Sequence, residues 1–167
     1  VSTRGGAEPV GFQEAFSQGL APDGGLYVPR NLPLLPSDLL IDDALPYPAL
    51  AWDFLRLFND DHDPDHLIEL IDQSYGDFSD TMNAPLQQVG ENLFVLELFH
   101  GPTLAFKDLA LQLLGRLFDH VLAARGERLT IVGATSGDTG SAAIEAVRNR
   151  ANVDIFMLYP EGRVSPV

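Results

Sequence analysis

Three short stretches of this chain carry residues that can do chemistry. The first, ELFHGPTLAFKDLALQLL at 97–114, holds the single lysine, Lys107; the other nine basic side chains are arginine. Lys107 follows the turn pair Gly101–Pro102 and the apolar run TLAF, and it opens an apolar helix. In such surroundings an ammonium is disfavoured, and the neutral amine can attack a carbonyl, which a permanently protonated guanidinium cannot do. A solvated surface lysine is the other role open to it, as a plain turn is for His100.

The second stretch is GATSGDTGSAA at 133–143, small and hydroxylated residues where a strand meets a helix. Gly140 is followed by Ser141 and Ala142, not by Lys-Ser/Thr as a Walker loop requires, and glycines at 133, 137 and 140 miss the Gly-x-Gly-x-x-Gly fingerprint. Thr135, not a serine, stands at the centre of GATSG, so the nucleophile elbow of a hydrolase is absent too. Two readings remain: a cradle for a carboxylate or phosphate at a helix N-terminus, or a turn capped by Asp138 or Thr139. The third stretch, NDDHDPDH at 59–66, spaces His62 and His66 for one helix face, a possible metal pair. Acids in a first helical turn favour the dipole, so a solvated, capped helix start is preferred and no metal site is assigned.

The elements that must position these residues follow from periodicity. GFQEAFSQGL, PALAWDFLRLFND and PDHLIELIDQSYG carry a helical apolar rhythm, the first stopping near Gly19 and the third capped by Asp63 with Pro64 next. Proline- and glycine-rich loops join them. From about residue 92, NLFVLEL reads as a buried strand, DLALQLLGRLFDHVLAARG as a helix closed by Gly126, RLTIVGA as a strand, TSGDTGSAAIEAVRNR as a turn and helix, and NVDIFMLYP as a strand. The expected fold class is α/β. A mostly helical region at 1–90 precedes, at 91–167, the opening of an open, mainly parallel sheet flanked by helices. Ligands bind beyond the carboxyl ends of such strands, so the loops at 99–107 and 134–141 should face each other across a cleft.

Composition narrows the function classes. A net charge of −14 speaks against nucleic acid or an anionic membrane as partner, and no apolar run is long enough to span a bilayer. Residues 36–80 hold twelve acids against Arg56 alone, a local surplus with no role beyond solubility apparent in the sequence. The absence of cysteine excludes thiolate chemistry and fits a cytoplasmic protein, as does an N-terminus without a signal peptide's apolar core.

Five blocks, STRG at 2–5, QGLAPDGGLYVP at 18–29, LFHGPTLAFKDLA at 98–110, TIVGATSGDTGSAA at 130–143 and YPEGRVSPV at 159–167, occur in the order found in threonine synthases, and the chain resembles that family throughout. The resemblance implies a pyridoxal 5'-phosphate (PLP) enzyme of fold type II, the type that includes the tryptophan synthase β-subunit. The reaction implied converts O-phospho-L-homoserine and water to L-threonine and phosphate. Lys107 would be the catalytic lysine that carries the cofactor and moves protons. Asp138 would contact the cofactor, Ser136, Gly137 and Thr139 the substrate, and Arg163 and Ser165 its phosphate. The family's loop for the cofactor phosphate and its partner for the pyridine nitrogen lie further along, so 1–167 is expected to be an N-terminal part with little activity alone. Two alternatives stay open: another fold type II lyase or dehydratase acting on a hydroxy- or phospho-amino acid, and a non-catalytic relative that binds a phosphorylated metabolite.

Overall fold

The computed structural model describes residues 1–37 and 45–163. Two compact units divide between Glu69 and Leu70.

In the first unit, α1 (Phe12–Gln18) stops at Gly19, whose φ of 71° suits a residue without a Cβ. Helix α2 (Tyr47–Leu55) starts after Pro46, and α3 (Pro64–Tyr75) starts as expected, with the N–H of His66 donating to Asp63 Oδ1 at 3.1 Å. The start of α1 has no side-chain cap of its own. Its amides are satisfied from 48 residues away, Phe12 N–H by Asp60 at 2.9 Å and Gln13 N–H by Asp61 at 3.0 Å. Part of the acidic surplus therefore caps helices. His62, expected in a solvated cluster, is 5% exposed, and its backbone is held on both sides by the Asn59 side chain.

The STRG block docks on APDGGLY. Asp23 accepts from the Ser2 hydroxyl at 2.7 Å, Gly6 N–H at 2.8 Å and Gly25 N–H at 2.9 Å, while Arg4 donates to the Asp23 carbonyl at 3.0 Å. These donors, the Ser2 hydroxyl foremost and Gly25 N–H next, pull the Asp23 carboxyl below its ordinary 3.8.

The second unit opens with the end of α3, where Leu70, Ile71, Ser74 and Tyr75 are buried. An antiparallel hairpin follows, β1 (Leu86–Gly90) with β2 (Leu93–Leu96), in the register Leu86 to Leu96. NLFVLEL thus contains a strand, but every residue of β2 is exposed rather than buried. Its partner β1 has Gln87 and Gln88 at its centre, which break the apolar alternation that would mark a strand. Helix α4 (Asp108–Arg125) ends at Gly126 in the left-handed region, as expected. It buries Leu113, Leu117 and Val121, together with Asp108, Gln112 and Gly115.

Strand β3 (Leu129–Ala134), helix α5 (Asp138–Val147) and strand β4 (Val153–Leu158) complete the described fold, with β3 and β4 parallel and in register from Leu129–Val153 to Ala134–Leu158. Burial alternates along both strands, leaving Val132, Phe156 and Leu158 exposed on one face of the pair. Gly115 of α4 lies directly on Ala146 of α5: a Cβ there would run into the Ala146 backbone carbonyl. Four residues further along α4, Asp119 accepts the N–H of Asn152 at 3.0 Å. Asn152 lies beyond α5 at the amino ends of β3 and β4, where its carbonyl accepts Leu129 N–H at 2.9 Å, so from Gly115 to Asp119 α4 advances toward that end. Helix α5 does the same in returning from the end of β3 to the start of β4, and the two helices run in the same direction.

Candidate active site

The loop before Lys107 is pinned at entry and exit. At entry, the His100 carbonyl accepts the N–H of Ser79 at 2.9 Å, and its ring Nε2 meets Glu97 Oε2 at 2.7 Å. At exit, Asp108 is fully buried, with Thr103 N–H donating to Oδ2 and the Thr103 hydroxyl to Oδ1, both at 2.7 Å. Between them the chain turns, with Leu104 N–H bonded to the Gly101 carbonyl at 3.1 Å and Leu104 at φ 61°. A left-handed leucine costs roughly 1 kcal/mol or more, since its Cβ crowds the following carbonyl.

Lys107 sits at the N-cap of α4 in helical geometry, φ −64° and ψ −21°. Its side chain is half-buried, and Nζ lies 4.2 Å from the centroid of the Phe106 ring, a cation–π contact. Among the described residues it makes no ion pair, although Asp108 is its neighbour in sequence. The amides that begin α4 are all occupied: Asp108, Leu109 and Ala110 N–H donate to Ala105, Phe106 and Lys107 carbonyls.

The start of α5 is built differently. Neither Asp138 nor Thr139 caps it. The Thr135 hydroxyl oxygen instead accepts from Gly137 N–H at 3.1 Å and Gly140 N–H at 3.0 Å. Gly140 permits this, because a Cβ there would strike the Thr135 side chain. Gly137 has φ 157° and ψ −112°, a conformation that L side chains rarely adopt. Ser136, Asp138 and Thr139 are exposed, and among the described residues their N–H groups have no acceptor. Open amides at the positive end of a helix suit a carboxylate or phosphate.

These features share one end of the fold. Thr135 N–H donates to Leu158 O at 2.9 Å, so the turn closes over the carboxyl ends of β3 and β4. Because α4 runs parallel to α5, Lys107 at the start of one helix lies at the same end as Asp138 at the start of the other. The residues present fit PLP: the one lysine of the chain, without an ion pair among the described residues, and donors for anionic oxygens.

Arg163 is exposed, its N–H donating to Pro160 O at 3.2 Å, and Ser165 lies outside the described residues. Among the described residues no group of three His, Asp or Glu is arranged to hold a metal ion. Sequence reasoning missed Thr103, Asp108 and Thr135 as organisers of the site. A threonine three residues before the helix, with glycines two and five positions on, was the available signal for the last of these.

A family model described as threonine synthase N terminus matches residues 1–75. The threonine synthase of Pseudomonas aeruginosa is 54% identical over 169 residues, covering 100% of this chain. By sequence, this chain belongs to the threonine synthase family. The fold agrees: a PLP-bound threonine synthase from Brucella melitensis superposes with a TM-score of 0.94 at 51% identity, over 99% of this chain and 36% of that one. The yeast threonine synthase gives 0.92 at 44%, again over 99% and 36%. The chain thus spans about a third of the length of these threonine synthases, 36% of the Pseudomonas protein.

Proposed function

We propose that the full-length protein is a cytoplasmic, PLP-dependent threonine synthase that converts O-phospho-L-homoserine and water to L-threonine and phosphate. The observation that carries this is Lys107, the lone ε-amine of the chain, half-buried, without an ion pair among the described residues, and at the end of the fold where α5 presents open amides. Its setting belongs to a chain 51% identical to a PLP-bound threonine synthase.

When bound, PLP supplies the electron sink that lets charge move along the substrate skeleton. Lys107 holds the cofactor and, once displaced by substrate, takes and returns protons at Nζ. Loss of phosphate at the γ-carbon and addition of water at the β-carbon require proton transfers at different carbons, which a long, flexible side chain can reach in turn. The N–H groups of Ser136, Asp138 and Thr139 bind anionic oxygens of substrate or cofactor, with Asp138 on the cofactor side and Ser136, Gly137 and Thr139 on the substrate side. Arg163 and Ser165 assist at the substrate phosphate.

The test is chemical. The full-length protein is incubated with PLP, reduced with borohydride and mapped by mass spectrometry. Modification at Lys107 is expected; modification elsewhere, or none, overturns the reading. Phosphate release from O-phosphohomoserine should follow, and Lys107→Ala should abolish it.

A further inference from the structure

The geometry points to Asp108 and Thr103 as a latch that positions Lys107, which makes Asp108 a positioning residue for the reaction of that lysine. This rests on the reading of Lys107 as the cofactor lysine. Asp108 is wholly buried, and both of its carboxylate oxygens are engaged by Thr103 at 2.7 Å. A buried carboxylate is costly unless its oxygens are satisfied, so these bonds fix which way the side chain faces. The turn wraps tightly onto it: a Cβ on Gly101 would collide with the Asp108 side chain.

Two consequences follow for the amine. First, the latch closes a turn that contains Leu104 at φ 61°, an unfavourable conformation that relaxes when the ends are released. Lys107 lies between this turn and the helix, its carbonyl accepting Ala110 and Leu111 N–H groups at 3.2 and 2.9 Å, so a relaxed turn changes where Nζ points. Second, turning the Asp108 carboxylate inward toward Thr103 keeps it from pairing with the ammonium beside it. Among the described residues Nζ meets the Phe106 ring and no carboxylate. The carboxylate therefore shapes the site without occupying the nucleophile.

The experiment measures how fast Lys107 captures PLP in the full-length protein without substrate, by growth of the visible cofactor band and by borohydride trapping mapped to Lys107. Thr103→Val removes the hydroxyl donor and keeps the side-chain shape and the N–H bond, so the protein should melt within a few degrees of wild type. Capture should slow by roughly tenfold or more, in line with the penalty for misplacing a reacting group by about an ångström. Thr103→Ser, which restores the hydroxyl, should recover most of the rate; a merely structural threonine would not give that pattern. If Thr103→Val fails to fold, Thr103→Ala is measured in its place. Capture at the wild-type rate in the folded variant, or no recovery with serine, overturns the latch. Failure of the wild-type protein to label at Lys107 overturns the function proposed above instead, so the two failures are told apart.

Discussion

The starts of α4 and α5 lie at the same end of the fold, yet they use their backbone donors in opposite ways. At α4 every early amide is spent on the turn carbonyls of 105–107, and a buried carboxylate ties the preceding loop down. At α5 a neutral hydroxyl, Thr135, takes two amides and leaves others exposed, without acceptors among the described residues. A helix N-terminus is thus not a binding site by virtue of being one. The first start is closed and presents a side chain; the second is open and presents its backbone.

The comparison can be broken most severely at Gly140. In Gly140→Ala the new Cβ meets Thr135, expels the hydroxyl and disorders the open start, so the KM for O-phosphohomoserine in the full-length protein should rise roughly a hundredfold while borohydride still traps PLP on Lys107. Equal loss of trapping would mean that the two starts are not separable.

Gly115→Ala should have a smaller, structural effect. Alanine is favoured over glycine in a helix by about 1 kcal/mol, but here the methyl would press on the Ala146 carbonyl, a backbone atom that cannot rotate away. We expect a net destabilisation of about 1–3 kcal/mol in denaturant unfolding. A gain in stability would show that α4 and α5 can separate without cost, and would weaken the shared end on which the site depends.

Acid gives the mildest test, because it distinguishes turns held by carboxylates from those held by hydroxyls. Asp23 is held below its ordinary 3.8 in the folded chain, so its contribution is complete above that value and fades as pH falls through the lowered one. Amide exchange at Gly6 and Gly25 should accelerate in that acid range, and Asp23→Asn should remove the pH dependence. The Gly137 and Gly140 amides, which rest on Thr135, should show no such step of their own.

Much of the second unit was legible because its elements are long and periodic. Helix α4, the β3–α5–β4 crossover and the cap at Gly126 all stand where the spacing placed them, as does the Asp63 cap of α3 in the first unit. Strand β1 was hidden, since Gln87 and Gln88 give it no alternation, and β2 looked buried because four apolar residues in a row imply cover. Asp60 and Asp61 could not be read as caps for α1, because they are 48 residues distant and the N-cap position is Gly11, which has no side chain to point to a partner. For the site, the chemistry-bearing Lys107 was visible by its uniqueness. The residues that arrange it were not, since Asp108 resembles any acid that favours a helix dipole.

The stacking of Lys107 over the Phe106 ring has a practical corollary. Ring currents shift nuclei held above an aromatic face upfield, and within these 167 residues only one side chain can carry a lysine isotope label. A single ε-methylene resonance would therefore report, in solution and without a cofactor, when the amine leaves its ring.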